Sequence, residues 1–360
     1  MELVEVIKCY LNNNKCDIEL SDKLINDSIE HGLSGILYDV YNDNKVKKYY
    51  LASTINQEKY IRESDNLTLL FNNNKIKHLY IKGTILYKIY DDPVIRSRGD
   101  IDVYVGMDDF ERAENILINN GYEIEEKECM HHVGFKHNGL EIELHFSLFD
   151  GYEATKASLL FKDPFIYSTI ENKYLYKMDD TMHLIYCICH FLKHLKFGGG
   201  LRYILDFYYI LSKQNINYDI LHKYINELNY NIIYNNILNA IYYFTNKKYD
   251  SFEIYDIEFF IKYMYDSGIH GFKRHKDDEE SMFLGKSKFT YLMSKVFLTN
   301  EKFRIVKYPK YGNKWYCYPF LVIHNIFHLI KTKFKRFFKF IKNKPTKEQK
   351  LLYKKIGIIE

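Results

Sequence analysis

The sequence predicts an α/β (α+β) protein in which a small mixed sheet is flanked by an N-terminal helical segment and a C-terminal all-helical domain. Three observations carry this. Residues Asp100-Ile101-Asp102-Val103-Tyr104-Val105 and Leu140-Glu141-Ile142-Glu143-Leu144-His145-Phe146 each alternate polar and apolar side chains with the period of a strand. Before residue 75 and after residue 150, apolar residues instead recur three and four apart, as on the buried face of a helix. The length of 360 residues permits one large or two ordinary domains. The pattern divides the chain into a helical segment 1–75, a core 76–150, a helical domain 151–330 and a basic amphipathic tail 331–360.

In the first segment Val4, Ile7, Tyr10 and Leu11 share one stripe, Leu24, Ile25 and Ile29 a second, and Leu67, Leu70 and Phe71 a third. His31 to Gly35 reads as a helix stop with a loop. No catalytic constellation appears here, and the expected role is to brace the sheet.

The core opens on Leu79-Tyr80-Ile81, a short strand. Lys82-Gly83-Thr84 then turns the chain into a helix carried by Ile85, Leu86 and Ile89. A glycine at such a turn lets backbone amides approach a phosphate, and a helix N-terminus adds unpaired N–H groups. In the next strand Asp100, Asp102 and Tyr104 face one way and Ile101, Val103 and Val105 the other. Carboxylates about 7 Å apart along a strand repel unless a cation lies between them, and hard oxygen ligands suit Mg²⁺ or Mn²⁺. The plain alternative is a solvated edge strand. Asp108 to Asn119 reads as a helix with Phe110, Ala113, Ile116 and Leu117 on its apolar side, stopped at Asn120-Gly121. In the second acidic strand Glu141, Glu143 and His145 share a face, which offers a third carboxylate. His145 is read as orienting a carboxylate rather than binding metal directly. Adjacent histidines on a strand point to opposite faces, so at most one of His131 and His132 is expected to reach the acidic site.

The succession Lys82-Gly83, Tyr90-Asp91-Asp92-Pro93, Arg96, Gly99 to Val103, Gly121-Tyr122, His131-His132 and Glu143-Leu144-His145-Phe146 resembles the uncharacterised bacterial nucleotidyltransferases of the polymerase-beta superfamily. The resemblance is strong over residues 76–150 and weaker to about 330. The chain departs from the superfamily in having one glycine rather than two small residues in the turn, and Phe146 where tryptophan is common. Neither change removes a candidate metal ligand.

The resemblance implies a polymerase-beta-like nucleotidyltransferase core. It implies transfer of an NMP from an NTP, such as ATP, to an acceptor hydroxyl, with release of pyrophosphate. Asp100 and Asp102 would hold two Mg²⁺ (or Mn²⁺) ions. Glu143 would complete the site as metal ligand or general base, with Glu141 the weaker candidate. Lys82, Gly83 and Thr84 would cradle the β- and γ-phosphates, and Arg96 and, less strongly, Arg98 would counter phosphate charge. The rival reading is a non-catalytic nucleotide- or partner-binding protein that retains the fold.

Beyond Asp150 the pattern reads as helical to the end. Asp179 to His194 is one helix with Asp180 or Thr181 as cap, and it carries His183, His190 and His194 on one stripe. The H-x-x-x-H spacing permits zinc, but a structural or substrate-facing role is the better reading. Arg202 and Asp206, one turn apart, are expected to pair with each other, with Arg202 reaching substrate as the alternative. Gly198-Gly199-Gly200 lacks the strand and lysine of a P-loop and reads as a turn. The acidic end of the run Lys273 to Glu280 reads as a solvated face. His328 to Lys344 interleaves Phe334, Phe337, Phe338 and Ile341 with seven lysines and arginines. This basic amphipathic helix suits RNA, an anionic membrane surface or packing on its own domain.

Composition adds little. The 35 tyrosines and 25 phenylalanines accompany abundant Asn, Ile and Lys, so they are no evidence for nucleic-acid stacking. A net charge of +4 is too small to identify a polyanionic partner. Six cysteines with no C-x-x-C pair, acids at Glu2 and Glu5 where a signal would be basic, and no bilayer-length apolar run point to a reducing cytoplasm. Neither the acceptor, which ranges over small molecule, protein and RNA, nor the oligomeric state is written in the sequence.

Overall fold

The protein is described by a computed structural model covering residues 1–126, 131–149, 155–271, 310–342 and 346–359, with 293, 296–299, 304 and 308 between them; at 126 and 332–342 it describes backbone alone. Four helices lead: α1 (Glu2–Leu11), α2 (Asp22–Glu30), α3 (Ser34–Tyr41) and α4 (Asn44–Asn73). The sheet region follows as β1 (His78–Tyr80), α5 (Gly83–Leu86), β2 (Asp100–Tyr104), α6 (Gly106–Asn119), β3 (Glu123–Glu126), β4 (His132–His137) and β5 (Leu140–His145). After the short α7 (Lys156–Leu160) come β6 (Ser168–Asn172) and β7 (Leu175–Met178). The helices α8 (Asp180–Leu195), α9 (Arg202–Lys213), α10 (Tyr218–Leu228), α11 (Asn231–Thr245) and α12 (Glu258–Ser267) then stack together, and two more helices span Tyr318–Lys342 and Lys347–Ile356.

The strands form one mixed sheet in the order β3-β4-β5-β2-β1-β7-β6. β2 runs parallel to β5 and antiparallel to β1. Alternation along β2 splits its side chains between two cores. Ile101, Val103 and Val105 pack with Tyr60, Leu67 and Phe71 of α4 and with Ala113 and Leu117 of α6. Tyr104 turns the other way and joins the core built by α8, α9 and α11. The expected brace is therefore α4, while α1 and α3 pack against the helical side through Leu3, Val4, Ile7, Ile36 and Leu37.

Two features depart from the sequence reading. The region beyond 150 is not helical throughout, because β6 and β7 form a hairpin and β7 pairs parallel with β1. Both strands are short, β6 is mostly exposed and β7 has four residues, so neither shows the sustained apolar alternation that marks a half-buried strand. The last helix, Lys347–Ile356, lies within the stretch 331–360 that the sequence sets apart as a tail, yet it is docked on the helical domain: Tyr353 and Ile356 are buried, and Asn236 Nδ2 donates to the carbonyls of Lys355 and Ile356 at 3.1 and 3.0 Å. The side chains of the basic stretch 332–342, and all of Lys273 to Glu280, lie outside the described residues.

Candidate active site

The parallel register of β2 and β5 sets Asp100 beside Glu141, Asp102 beside Glu143 and Tyr104 beside His145. Asp102 and Glu143 thereby converge from neighbouring strands. His145 Nε2 donates to both, at 3.0 Å to Asp102 Oδ1 and 3.1 Å to Glu143 Oε2. This is the orienting contact expected of it. Glu141 is exposed and lies outside the cavity that the other carboxylates line.

Lys82 follows β1 with φ at +52°, a conformation that a residue with a Cβ rarely adopts. That turn carries its ammonium to 2.6 Å from Asp102 Oδ1 and 3.9 Å from Glu143 Oε2. The backbone N–H of Asp102 donates to Thr84 Oγ1 at 3.3 Å, tying the turn to β2. Gly83 leaves room for its neighbour, since a Cβ there would sit 3.0 Å from a terminal nitrogen of Arg96. Helix α5 is one turn long, so its dipole is weaker than the sequence reading supposed.

These residues floor a cavity of about 520 Å³ whose opposite wall comes from α8, α9 and the loop after α2. His190, Lys193, His194 and Arg202 line that wall, with Ile29 and Gly32 contributing from the segment where no site was expected. His183, on the same stripe, is instead buried against Cys187. The expected Arg202–Asp206 pair does not form. Asp206 accepts from Arg96 Nε at 2.7 Å, Arg96 NH2 at 3.1 Å and Tyr90 OH at 2.7 Å. Arg202 NH1 donates to the Ser97 carbonyl at 3.0 Å. The planar fork of Arg96 fits both oxygens of a buried carboxylate better than a helical neighbour one turn away can. Arg98 stacks on Tyr87 at 3.6 Å from the ring centre, and none of its three buried guanidinium nitrogens makes a hydrogen bond of normal geometry.

Both adjacent histidines reach the cavity, contrary to expectation. His132 begins β4 and its Nε2 lies 3.4 Å from Glu143 Oε1. His131 stands just before the strand, where alternation no longer applies, and its carbonyl accepts from the N–H groups of Phe146 and Ser147 at 3.0 and 3.2 Å.

The charges respond to this crowding. Asp102 raises the Asp100 carboxyl above its ordinary value, and burial adds to it. Burial also pushes Glu143 up, but the His145 hydrogen bond and the Lys82 ammonium outweigh it and hold that carboxyl below its ordinary value. Burial, with His145 and His131 nearby, pushes His132 down to about 2, so its ring is neutral. Burial depresses the Arg98 guanidinium to about 10.

The donor set fits a divalent cation. Asp102, Glu143 and His145 each present one ligand atom within 4.8 Å of the others, and Asp100 shares their cavity. Facing them is a wall of cationic and imidazole groups, the complement of a polyanionic substrate. No helix among the described residues is long and apolar enough to cross a membrane. No curated protein and no solved structure is similar enough to the chain to count as a match. A family model described as uncharacterised nucleotidyltransferase does match it over residues 21–242, from α2 through most of α11 and so across the whole sheet and every cavity residue except Ile269 and His270. The chain belongs to that family of uncharacterised nucleotidyltransferases.

Proposed function

We propose that the protein transfers an NMP from an NTP to an acceptor hydroxyl in this cavity, releasing pyrophosphate. The observation that carries the reading is the β2–β5 register, which gathers Asp102 and Glu143, with Asp100 on the same face, beneath a cationic wall. Asp100, Asp102 and Glu143 would hold Mg²⁺ (or Mn²⁺). A divalent ion held there would supply positive charge against the negative charge developing in transfer and would lower the pKa of the acceptor hydroxyl.

The chain's own groups do the positioning. His145, fully buried, locks the Asp102 and Glu143 carboxylates in one orientation. Gly83 and Thr84 form the floor on which the β- and γ-phosphates would rest, and Lys82 swings between Asp102 and phosphate oxygen. Arg96 lines the cavity, but its fork is engaged by Asp206, so it shapes the floor rather than capturing phosphate. Arg98, pre-oriented by Tyr87 and short of hydrogen-bond acceptors, supplies the mobile counter-charge. Glu143, held ionised, is placed to take the acceptor proton or to ligate the ion nearest the acceptor.

A second reading, a nucleotide-binding protein without turnover, has one observation in its favour. The Lys82 ammonium already neutralises Asp102 at 2.6 Å, where an enzyme would want the carboxylate for metal. One experiment separates the two. The protein is incubated with each α-labelled NTP, Mg²⁺ or Mn²⁺, and cell extract divided into RNA, protein and small-molecule fractions, beside the Asp100→Ala/Asp102→Ala protein. Label in one fraction with the parent alone establishes transfer and names the acceptor class. NTP binding with no label in any fraction supports the second reading.

A further inference from the structure

Beside the carboxylates stands a second group of potential ligands, which joins His145 to two histidines, His131 and His132, that the proposed transfer does not use. His132 and His145 are cross-strand partners on β4 and β5, and His131 turns in ahead of β4. The ring centres lie 4.5 Å (His131 to His132), 5.0 Å (His132 to His145) and 5.5 Å (His131 to His145) apart. One nitrogen from each ring lies within 4.8 Å of one from each of the others, and all three residues are buried.

An imidazole has two polar nitrogens, and burying either without a partner is costly. Here the Nδ1 atoms of both His132 and His145 are buried with no hydrogen-bond partner. Their Nε2 atoms are meanwhile turned to carboxylates, His145 to Asp102 and Glu143, and His132 to Glu143. A carboxylate on one nitrogen with the other left over is the arrangement that histidine ligands of metal ions show, the carboxylate fixing the ring and raising its basicity. Lys193 Nζ, 3.5 Å from His131 Nε2, bounds the group on the cavity side.

We propose that His131, His132 and His145 form a binding site for a divalent first-row transition ion of the zinc class, separate from the carboxylate positions that suit Mg²⁺. Imidazole nitrogen is a borderline ligand that favours such ions, whereas Mg²⁺ requires oxygen. Three histidines leave one position of a tetrahedral ion open, which is the pattern of a catalytic rather than a structural centre. Since His131 and His132 line the cavity, the open position faces substrate. The site adjoins the proposed transfer centre, and its metal binding is measured without reference to transfer.

The test is titration of the EDTA-treated, dialysed full-length chain with Co²⁺, a spectroscopic stand-in for Zn²⁺, in the presence of excess Mg²⁺. Binding near one equivalent, with a visible absorption band of imidazole-coordinated Co²⁺ that Zn²⁺ abolishes, is expected. His131→Gln and His132→Gln, made singly to spare the fold, should each weaken binding by about tenfold or more while melting normally in EDTA. Asp100→Ala should keep the Co²⁺ band and lose transfer, which separates this inference from the one above. A parent protein without the band, Co²⁺ displaced by Mg²⁺, or single variants that bind like the parent would each overturn the proposal.

Discussion

Two buried aspartates, about a hundred residues apart in sequence, line the same cavity and are treated in opposite ways. Asp206 is closed: the Arg96 fork takes both oxygens and the Tyr90 hydroxyl adds a third donor. Asp102 is open, with an ammonium and an imidazole meeting at a single oxygen, while Asp100 and Glu143 crowd beside it. A planar fork fixes one geometry and ties two parts of the fold together, here the segment leading into β2 and helix α9. An ammonium on a flexible stem neutralises only part of three carboxylates and can be moved aside. The difference teaches which of two similar ion pairs is a joint and which is a site, a distinction that burial alone does not make.

Breaking the open pair should have the largest effect on chemistry. In Asp100→Ala/Asp102→Ala, transfer should fall by about a thousandfold or more, while the urea midpoint stays near that of the parent. Undiminished labelling of acceptor would refute the assignment. Breaking the closed pair should do the reverse. Asp206→Ala strands the buried Arg96 and should cost about 3–5 kcal/mol of stability, read from urea unfolding; a variant as stable as the parent would show that the joint holds nothing.

Smaller changes sharpen the contrast. Arg98→Ala removes a guanidinium that stacks on Tyr87 but leaves no hydrogen-bond partner stranded, so stability should fall by only about 1 kcal/mol while KM for NTP rises about tenfold with a lesser fall in kcat. An unaltered KM would return the phosphate role to Arg96. The smallest effect tests charge excess itself. Since Asp102 and burial raise the Asp100 carboxyl, the native state binds that proton more readily than the unfolded chain, and stability falls as pH rises through the window above the ordinary aspartate value. Asp100→Asn should therefore raise Tm by a few degrees at neutral pH in EDTA, with no gain at a pH below that window. A lower Tm at neutral pH would mean that Asp100 is as well compensated as Asp206.

How much of this was legible in the sequence follows the range of each interaction. The alternation through Asp100 and Asp102, and through Glu143 and His145, named both acidic strands, because side-chain direction on a strand is a local property. Their register was not legible; it depends on the long connection from β2 to β5 through α6, β3 and β4. Local rules also misled where a residue left its element. Strand alternation allowed only one of His131 and His132 into the cavity, but His131 lies one residue outside β4 and both reach it. Arg202 was assigned to Asp206 by helical spacing, whereas the partner that won, Arg96, is 110 residues away. The guanidinium of Arg98 could be ranked above that of Arg96 only after it was known which one Asp206 had taken. The β6–β7 hairpin escaped because β6 is mostly exposed and the apolar residues of β7, Leu175, Tyr176 and Met178, span only four positions, too few to show a strand period.

That hairpin bears on any attempt to isolate the catalytic region. β1 carries the Lys82 turn, and it lies between β2 and β7, with the His78 N–H donating to the Tyr174 carbonyl at 2.9 Å. A fragment ending at residue 150 would remove β7 and convert β1 from an interior strand into an open edge, with unpaired backbone groups offered to any passing chain. Such a fragment should self-associate through the strand that leads into the Lys82 turn, so the least chain that keeps this edge sealed runs through Met178.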